Sequence, residues 1–135
     1  MSTPLTSSGR TVVVTGGSRG IGREVVARFV GLGDHVLALG RSADALAALA
    51  TDGPSFGPGT LRTERCDVTV EAQVEEILGA LPVVDVLVNN AGASESAPLH
   101  RTTLASWEQQ LTVNATGAFL ATRAVIKGMR DRGHG

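Results

Sequence analysis

The sequence predicts an α/β domain built on a doubly wound parallel sheet with strand order 3-2-1-4. Three observations carry that expectation. Short apolar runs alternate with segments of helical period along the chain. The stretch Val12-Val13-Val14-Thr15-Gly16-Gly17-Ser18-Arg19-Gly20-Ile21-Gly22 reads as a buried strand turning through glycines into a helix. Composition agrees: 42% hydrophobic residues, 17 glycines and only 3% aromatics, the mix of strands that are apolar on both faces.

The first strand spans residues 10–15, and the helix after it residues 21–32, with Ile21, Val25, Val26, Phe29 and Val30 on its apolar face. Gly31 and Gly33 end that helix. Residues 35–39 form the second strand, and Ser42 caps a helix to Ala50 whose core face is Leu46, Leu49 and Ala50. Residues 51–60 hold three glycines and two prolines and read as a loop. The third strand is 61–66. Thr69 caps a helix to about Ala80 carrying Val74, Ile77 and Leu78, and Pro82 stops it. Residues 83–88 form a fourth strand, followed by the turn Asn89-Asn90-Ala91-Gly92 and a loop over 93–101. A single long helix runs from about Thr103 to Arg130, with Leu104, Trp107, Leu111 and Leu120 as a stripe for core or subunit contact.

Right-handed crossovers between these units generate the 3-2-1-4 order, and a ligand is expected beyond the C-terminal strand ends, where the order reverses between strands 1 and 4. One feature does not close. Strand 4 is almost entirely apolar, the pattern of a strand with two neighbours, yet it stands at an edge. The expectation is that the sheet continues past residue 135, so that the chain is a fragment or leans on another chain there.

The 135 residues are expected to form one domain, with residues 1–9 frayed. A net charge of −1 supplies no general attraction to nucleic acid or to membrane. Neither a signal peptide nor an apolar run near the ~18 residues of a membrane span is present, and the lone Cys66 excludes an internal disulfide, so a cytoplasmic protein is expected. His35, His100 and His134 show no metal-ligand spacing.

The strand-to-helix turn points to a nucleotide. The first helix N–H groups are free there, with the positive end of the helix dipole behind them, and a phosphate diester suits that spot. A side chain at Gly16, Gly20 or Gly22 would occupy ligand space or force an unfavourable φ. The same crevice receives Asp67 and the Asn89–Gly92 turn.

Thr15-Gly16-Gly17-Ser18-Arg19-Gly20-Ile21-Gly22 resembles the TGxxxGIG cofactor turn of the short-chain dehydrogenases/reductases. Asn89-Asn90-Ala91-Gly92 resembles their NNAG turn, Cys66-Asp67-Val68 the segment whose aspartate contacts adenine, and Val113-Asn114 their helix asparagine. The resemblance covers essentially all 135 residues. It implies a Rossmann-type domain that holds a dinucleotide through Gly16, Ser18, Arg19, Gly20, Ile21 and Gly22, an adenine contact at Asp67 and the Val68 amide, and a ribose contact at Asn90 within the Asn90-Ala91-Gly92 turn. It also implies hydride transfer to a carbonyl or from an alcohol, and a homodimer or homotetramer.

Of the family's Asn, Ser, Tyr and Lys catalytic set, only Asn114 has a counterpart here, and the chain contains no tyrosine. The other three would follow residue 135, so the residues present are expected to catalyse little alone. Asn114 reads either as a satisfied structural amide or as part of a proton relay, and Asp67 either as a helix cap or as the adenine contact. Cofactor choice is read from strand 2, which runs into Gly40-Arg41-Ser42. An acid there would bind the ribose hydroxyls of NAD, whereas the Arg41 guanidinium suits a 2′-phosphate, with Arg19 and Ser42 beside it. NADP(H) is the expected cofactor. The alternatives are a non-catalytic NADP(H)-binding module and a cofactor-free remnant.

Overall fold

A computed structural model describes residues 9–135. The expected fraying of residues 1–9 lies, apart from Gly9, outside the described residues. Four parallel strands, β1 (Thr11–Thr15), β2 (His35–Gly40), β3 (Thr60–Arg65) and β4 (Val86–Val88), form one sheet in the order β3-β2-β1-β4. Helices α1 (Gly20–Gly31), α2 (Ala43–Asp52), α3 (Glu71–Gly79), α4 (Leu104–Leu111) and α5 (Gly117–Arg132) surround it. The predicted order holds.

Alternation along the central strands divides the core. Val13, Leu37 and Leu39 point to one face and pack with Val74, Leu78, Leu120 and Val125 of α3 and α5. Val12, Val14, Val36 and Ala38 point to the other and pack with Val26 and Val30 of α1 and Leu49 of α2. Each such side chain contributes about 1.5–3 kcal/mol on burial, and two-sided burial explains why Val12–Val14 and Val36–Leu39 are apolar without alternation.

Several boundaries shift. The turn of α2 runs on to Asp52 and a 3₁₀ turn at Gly53–Ser55, which Pro54 tolerates because the first-turn N–H is unbonded in any case. Ala50 faces solvent. Thr69 does not cap α3: that helix starts after Val70 with no side-chain cap, and the Thr69 hydroxyl donates to Asp67 Oδ1 at 2.7 Å. The fourth strand is only Val86–Val88. Val84 is buried in the core without strand pairing, and Asp85 turns its carboxylate to accept from the Thr11 N–H at 2.8 Å, ending the extended run. As expected, β4 lies at the sheet edge, where each residue is half-buried.

The long final helix is interrupted. A π-helical turn, Thr112–Thr116, separates α4 from α5. Its extra residue rotates the faces before and after it out of register. The predicted stripe therefore splits: Leu120 is 8% exposed in the core, while Leu104, Trp107 and Leu111 are about half exposed or more. Among the described residues no helix is long and apolar enough to cross a membrane.

Candidate nucleotide-binding site

Beyond the C-terminal strand ends lies a cleft of about 350 Å³. The first turn contributes Gly16, Ser18 and Arg19, the end of β2 Arg41 and Ser42, the end of β3 Asp67 and Val68, and the turn after β4 Asn90, Ala91 and Gly92. Those ten predicted residues come together across four separate segments. Gly20, Ile21, Gly22 and Asn114 do not line the cleft. Ile21 is 78% exposed and lies with Arg23, Val25 and Phe29 on the outside of α1.

The glycines separate by role. Gly16 has φ +64°, and a Cβ there would stand 2.9 Å from Ala91 Cα, so the first and last turns can meet only without one. Gly20 needs glycine for its φ of +52° alone, since the space beside it is open. Gly22 packs α1 onto its own entry turn: a Cβ would lie 2.1 Å from the Gly16 carbonyl oxygen and 2.4 Å from Asn90 Nδ2. Here the space is filled by protein rather than by ligand.

The start of α1 is electrostatically open. Arg19 stands at the N-cap in extended conformation, no side chain caps the helix, and no acid lies in its first turn. By contrast α2 is self-capped, with Ser42 Oγ accepting from the Ala45 N–H at 3.2 Å and Asp44 in its first turn. Uncapped N–H groups with a positive dipole end form an anion seat, and the arginines at 19 and 41 add charge around it. The donor set and the glycine cradle at Gly16 therefore fit a pyrophosphate.

Two clamps hold the cleft in shape. Thr15, 2% exposed, accepts from the N–H groups of Asn90 at 3.1 Å and Ala91 at 3.0 Å, and its hydroxyl donates to the Val88 carbonyl at 3.4 Å. Asn90 Nδ2 donates to the Gly16 carbonyl at 3.0 Å. Asn90 is thus a brace between turns as well as a wall of the cleft. Sequence reasoning assigned Thr15 no role, although a threonine ending an all-valine strand is a polar atom in need of a partner. Arg65 was also missed: its Nε donates to the Arg41 carbonyl at 3.0 Å.

Asp67 and Asn114 carry internal bonds. Asp67 Oδ1 accepts from the Thr69 hydroxyl and from the Thr69 N–H at 3.0 Å, which holds its carboxyl below the usual aspartate range, and nearby Arg41 adds to the effect. This Asx turn replaces the helix cap read from the sequence, since α3 has no side-chain cap, and it leaves the cleft wall charged. Asn114, in the π turn, donates Nδ2–H to the Ala93 carbonyl at 2.7 Å and accepts from the Ala93 N–H at 3.0 Å. Both polar atoms of its amide are thus engaged with the backbone of Ala93. One turn earlier Gln110 bonds both backbone groups of Glu95, so the segment after Gly92 is pinned to the helix twice. Cys66 is buried at the back of the cleft, and burial pushes its thiol pKa up.

Comparisons with known proteins agree with this geometry. A family model described as short chain dehydrogenase matches residues 10–135. The NADP-dependent 3-hydroxy acid dehydrogenase YdfG of Salmonella typhi is 40% identical over 130 residues, covering 91% of this chain and 51% of its own length. Serine dehydrogenase from Escherichia coli superposes with a TM-score of 0.83 at 35% identity over 93% of this chain and 58% of that one. A metagenomic short-chain oxidoreductase in complex with NADP superposes with a TM-score of 0.85 at 32% identity over 95% and 60%. The chain spans about half the length of the curated relatives it matches.

Proposed function

Because the chain belongs to the short-chain dehydrogenase family, we propose that residues 1–135 form the NADP(H)-binding domain of an oxidoreductase acting on a small-molecule carbonyl or alcohol. The observation that carries this reading is a guanidinium, not a carboxylate, at the end of β2 on the wall of the cleft. Arginine binds a 2′-phosphate with charge-assisted hydrogen bonds, and an acid at that place would select the unphosphorylated ribose instead.

In this reading the uncapped start of α1 takes the pyrophosphate, through the backbone of Ser18 to Gly22. Arg41, Arg19 and the Ser42 hydroxyl hold the 2′-phosphate. Ser42 Oγ accepts from Ala45, which leaves its proton free to donate. Asp67 and the Val68 amide face the adenine, and Asn90 to Gly92 shape the wall for the far ribose. A nicotinamide held there would give hydride to a carbonyl or take it from an alcohol. Asn114 acts as a positioning residue, fixing Ala93 and with it the segment leading away from the cleft. No tyrosine is present in the 135 residues, so they supply no tyrosine acid for the substrate oxygen. The exposed Trp107, Leu111, Phe119 and Ile126 of α4 and α5 suit burial against a second copy in a homo-oligomer, and the single cysteine, Cys66, suits a reducing cytoplasm.

The test is Arg41→Asp in the full-length polypeptide, with NADPH and NADH binding measured by calorimetry. Wild type should favour NADPH, and the variant should lose that preference by about a hundredfold, since it replaces a charge-assisted bond by repulsion. An unchanged NADPH:NADH ratio would overturn the assignment.

A further inference from the structure

Next to the cleft, and sharing Arg41 and Asp67 with it, runs a shallow groove whose other walls are Arg65 and Gln73. We propose that Arg65, the last residue of β3, is a specificity-determining ligand for the 2′-phosphate. This rests on the NADP(H) reading above and extends it to a residue on a different strand.

Register brings Arg65 there. It pairs with Gly40 across β2 and β3, one residue before Arg41, at the strand ends where the cleft opens. Its Nε is spent on the Arg41 carbonyl at 3.0 Å. That bond fixes the plane of the guanidinium and tethers the backbone of Arg41. Its two Nη groups make no hydrogen bond or ion pair among the described residues, and the same is true of the Arg41 side-chain nitrogens. A guanidinium already oriented by one bond loses little freedom when it takes a second partner.

Charge makes the second arginine necessary. Asp67 lies in the same groove, and its bonds from Thr69 keep it ionised. Within the groove Arg41 and Asp67 cancel, which leaves Arg19 of the cleft as a single unbalanced guanidinium for a dianionic phosphate. With Arg65 the groove holds two guanidiniums to one carboxylate. Gln73 is neutral and adds no competing charge, since its Oε1 accepts from the Asp67 N–H at 2.8 Å.

The experiment uses the full-length polypeptide and two adenosine probes, adenosine 2′,5′-bisphosphate and adenosine 5′-monophosphate, which differ only in the phosphate at issue. For Arg65→Gln the bisphosphate should bind about tenfold more weakly while the monophosphate changes little, and the bisphosphate affinity should depend less steeply on salt. Arg65→Lys, which keeps the charge but not the fork, should fall between. Arg65 is exposed, so both variants should melt with the wild type. Bisphosphate affinity unchanged in Arg65→Gln overturns the proposal and leaves the NADP(H) reading standing. Equal weakening of both probes also overturns it, because that is the signature of a loop held in shape and nothing more. A wild type that does not distinguish the two probes overturns both readings at once.

Discussion

The two ends of the sheet treat their polar groups in opposite ways. At the N-terminal end most of the described polar groups are satisfied from within, the buried Arg132 Nε beside Val84 being left without a partner. The Asp34 carboxylate, wholly buried, accepts from the Arg10 backbone N–H at 3.1 Å and from its guanidinium at 3.2 and 2.9 Å. Asp85 takes the Thr11 N–H, and His35 Nδ1 meets the Thr60 hydroxyl at 2.8 Å. At the C-terminal end, α1 begins with no side-chain cap, and the guanidiniums of Arg19 and Arg41 make no hydrogen bond among the described residues. Polar groups that close on each other stabilise the fold, and polar groups left open at a concave surface are available to a ligand. The difference locates the site without reference to any motif.

Asp34→Ala attacks the closed end. It leaves the Arg10 N–H without its carboxylate and opens a gap beneath β1 and β2, so a loss of about 3 kcal/mol in stability is expected. Urea unfolding would measure it, with the NADPH:NADH affinity ratio as control. If the ratio moved as far as the stability, the two ends would not be independent.

Gly22→Ala should come next, at about 2 kcal/mol, because the new methyl group must displace the backbone of the Gly16 turn. Unlike Asp34→Ala it should also weaken cofactor binding in a fluorescence titration, since the displaced turn is the anion seat itself. Gly20→Ala separates the two glycine roles. It should cost only the strain of a positive φ, about 1 kcal/mol, as the space around it is empty. Equal losses from both substitutions would show that the close packing seen at Gly22 carries no energy.

Thr15 is the exception that sharpens the contrast, a closed polar group at the open end. Thr15→Val keeps the shape but withdraws the acceptor for two N–H groups, and about 1–2 kcal/mol should be lost, with Thr15→Ser retaining most of it. Its importance was hidden in the sequence because a hydroxyl at a strand end has no periodicity to mark it. The strand order, by contrast, was legible, because valines apolar on both faces and three right-handed crossovers leave few topologies. What could not be read were places where one residue chooses among partners. Val83 and Val84 look like strand and serve as a connection in which only Val84 is buried, because Asp85 prefers the Thr11 N–H to solvent. Thr69 looks like a cap and turns back to Asp67. The π turn at Asn114 reverses which leucines reach the core, a change of phase that a fixed helical period cannot register.

The smallest effect expected is also the most local test of an open group. Asp67 owes its lowered pKa first to the Thr69 hydroxyl, then to the Thr69 N–H, and to Arg41 after that, against the opposing pull of partial burial. A carboxyl whose pKa is depressed by folding stabilises the native state above its unfolded value, and that contribution fades as pH falls through the folded one. Thr69→Val removes the largest cause and spares the backbone bond. The Asp67 carboxyl, followed by NMR titration, should therefore move up toward the ordinary aspartate value, and the acid limb of the stability curve should move up with it. Arg41→Gln should produce a smaller rise in the same direction. Were Arg41→Gln to move Asp67 further than Thr69→Val, the carboxylate would be held mainly by the arginine. The groove would then be an ion pair closed on itself, like the Arg10–Asp34 end, instead of a seat for phosphate.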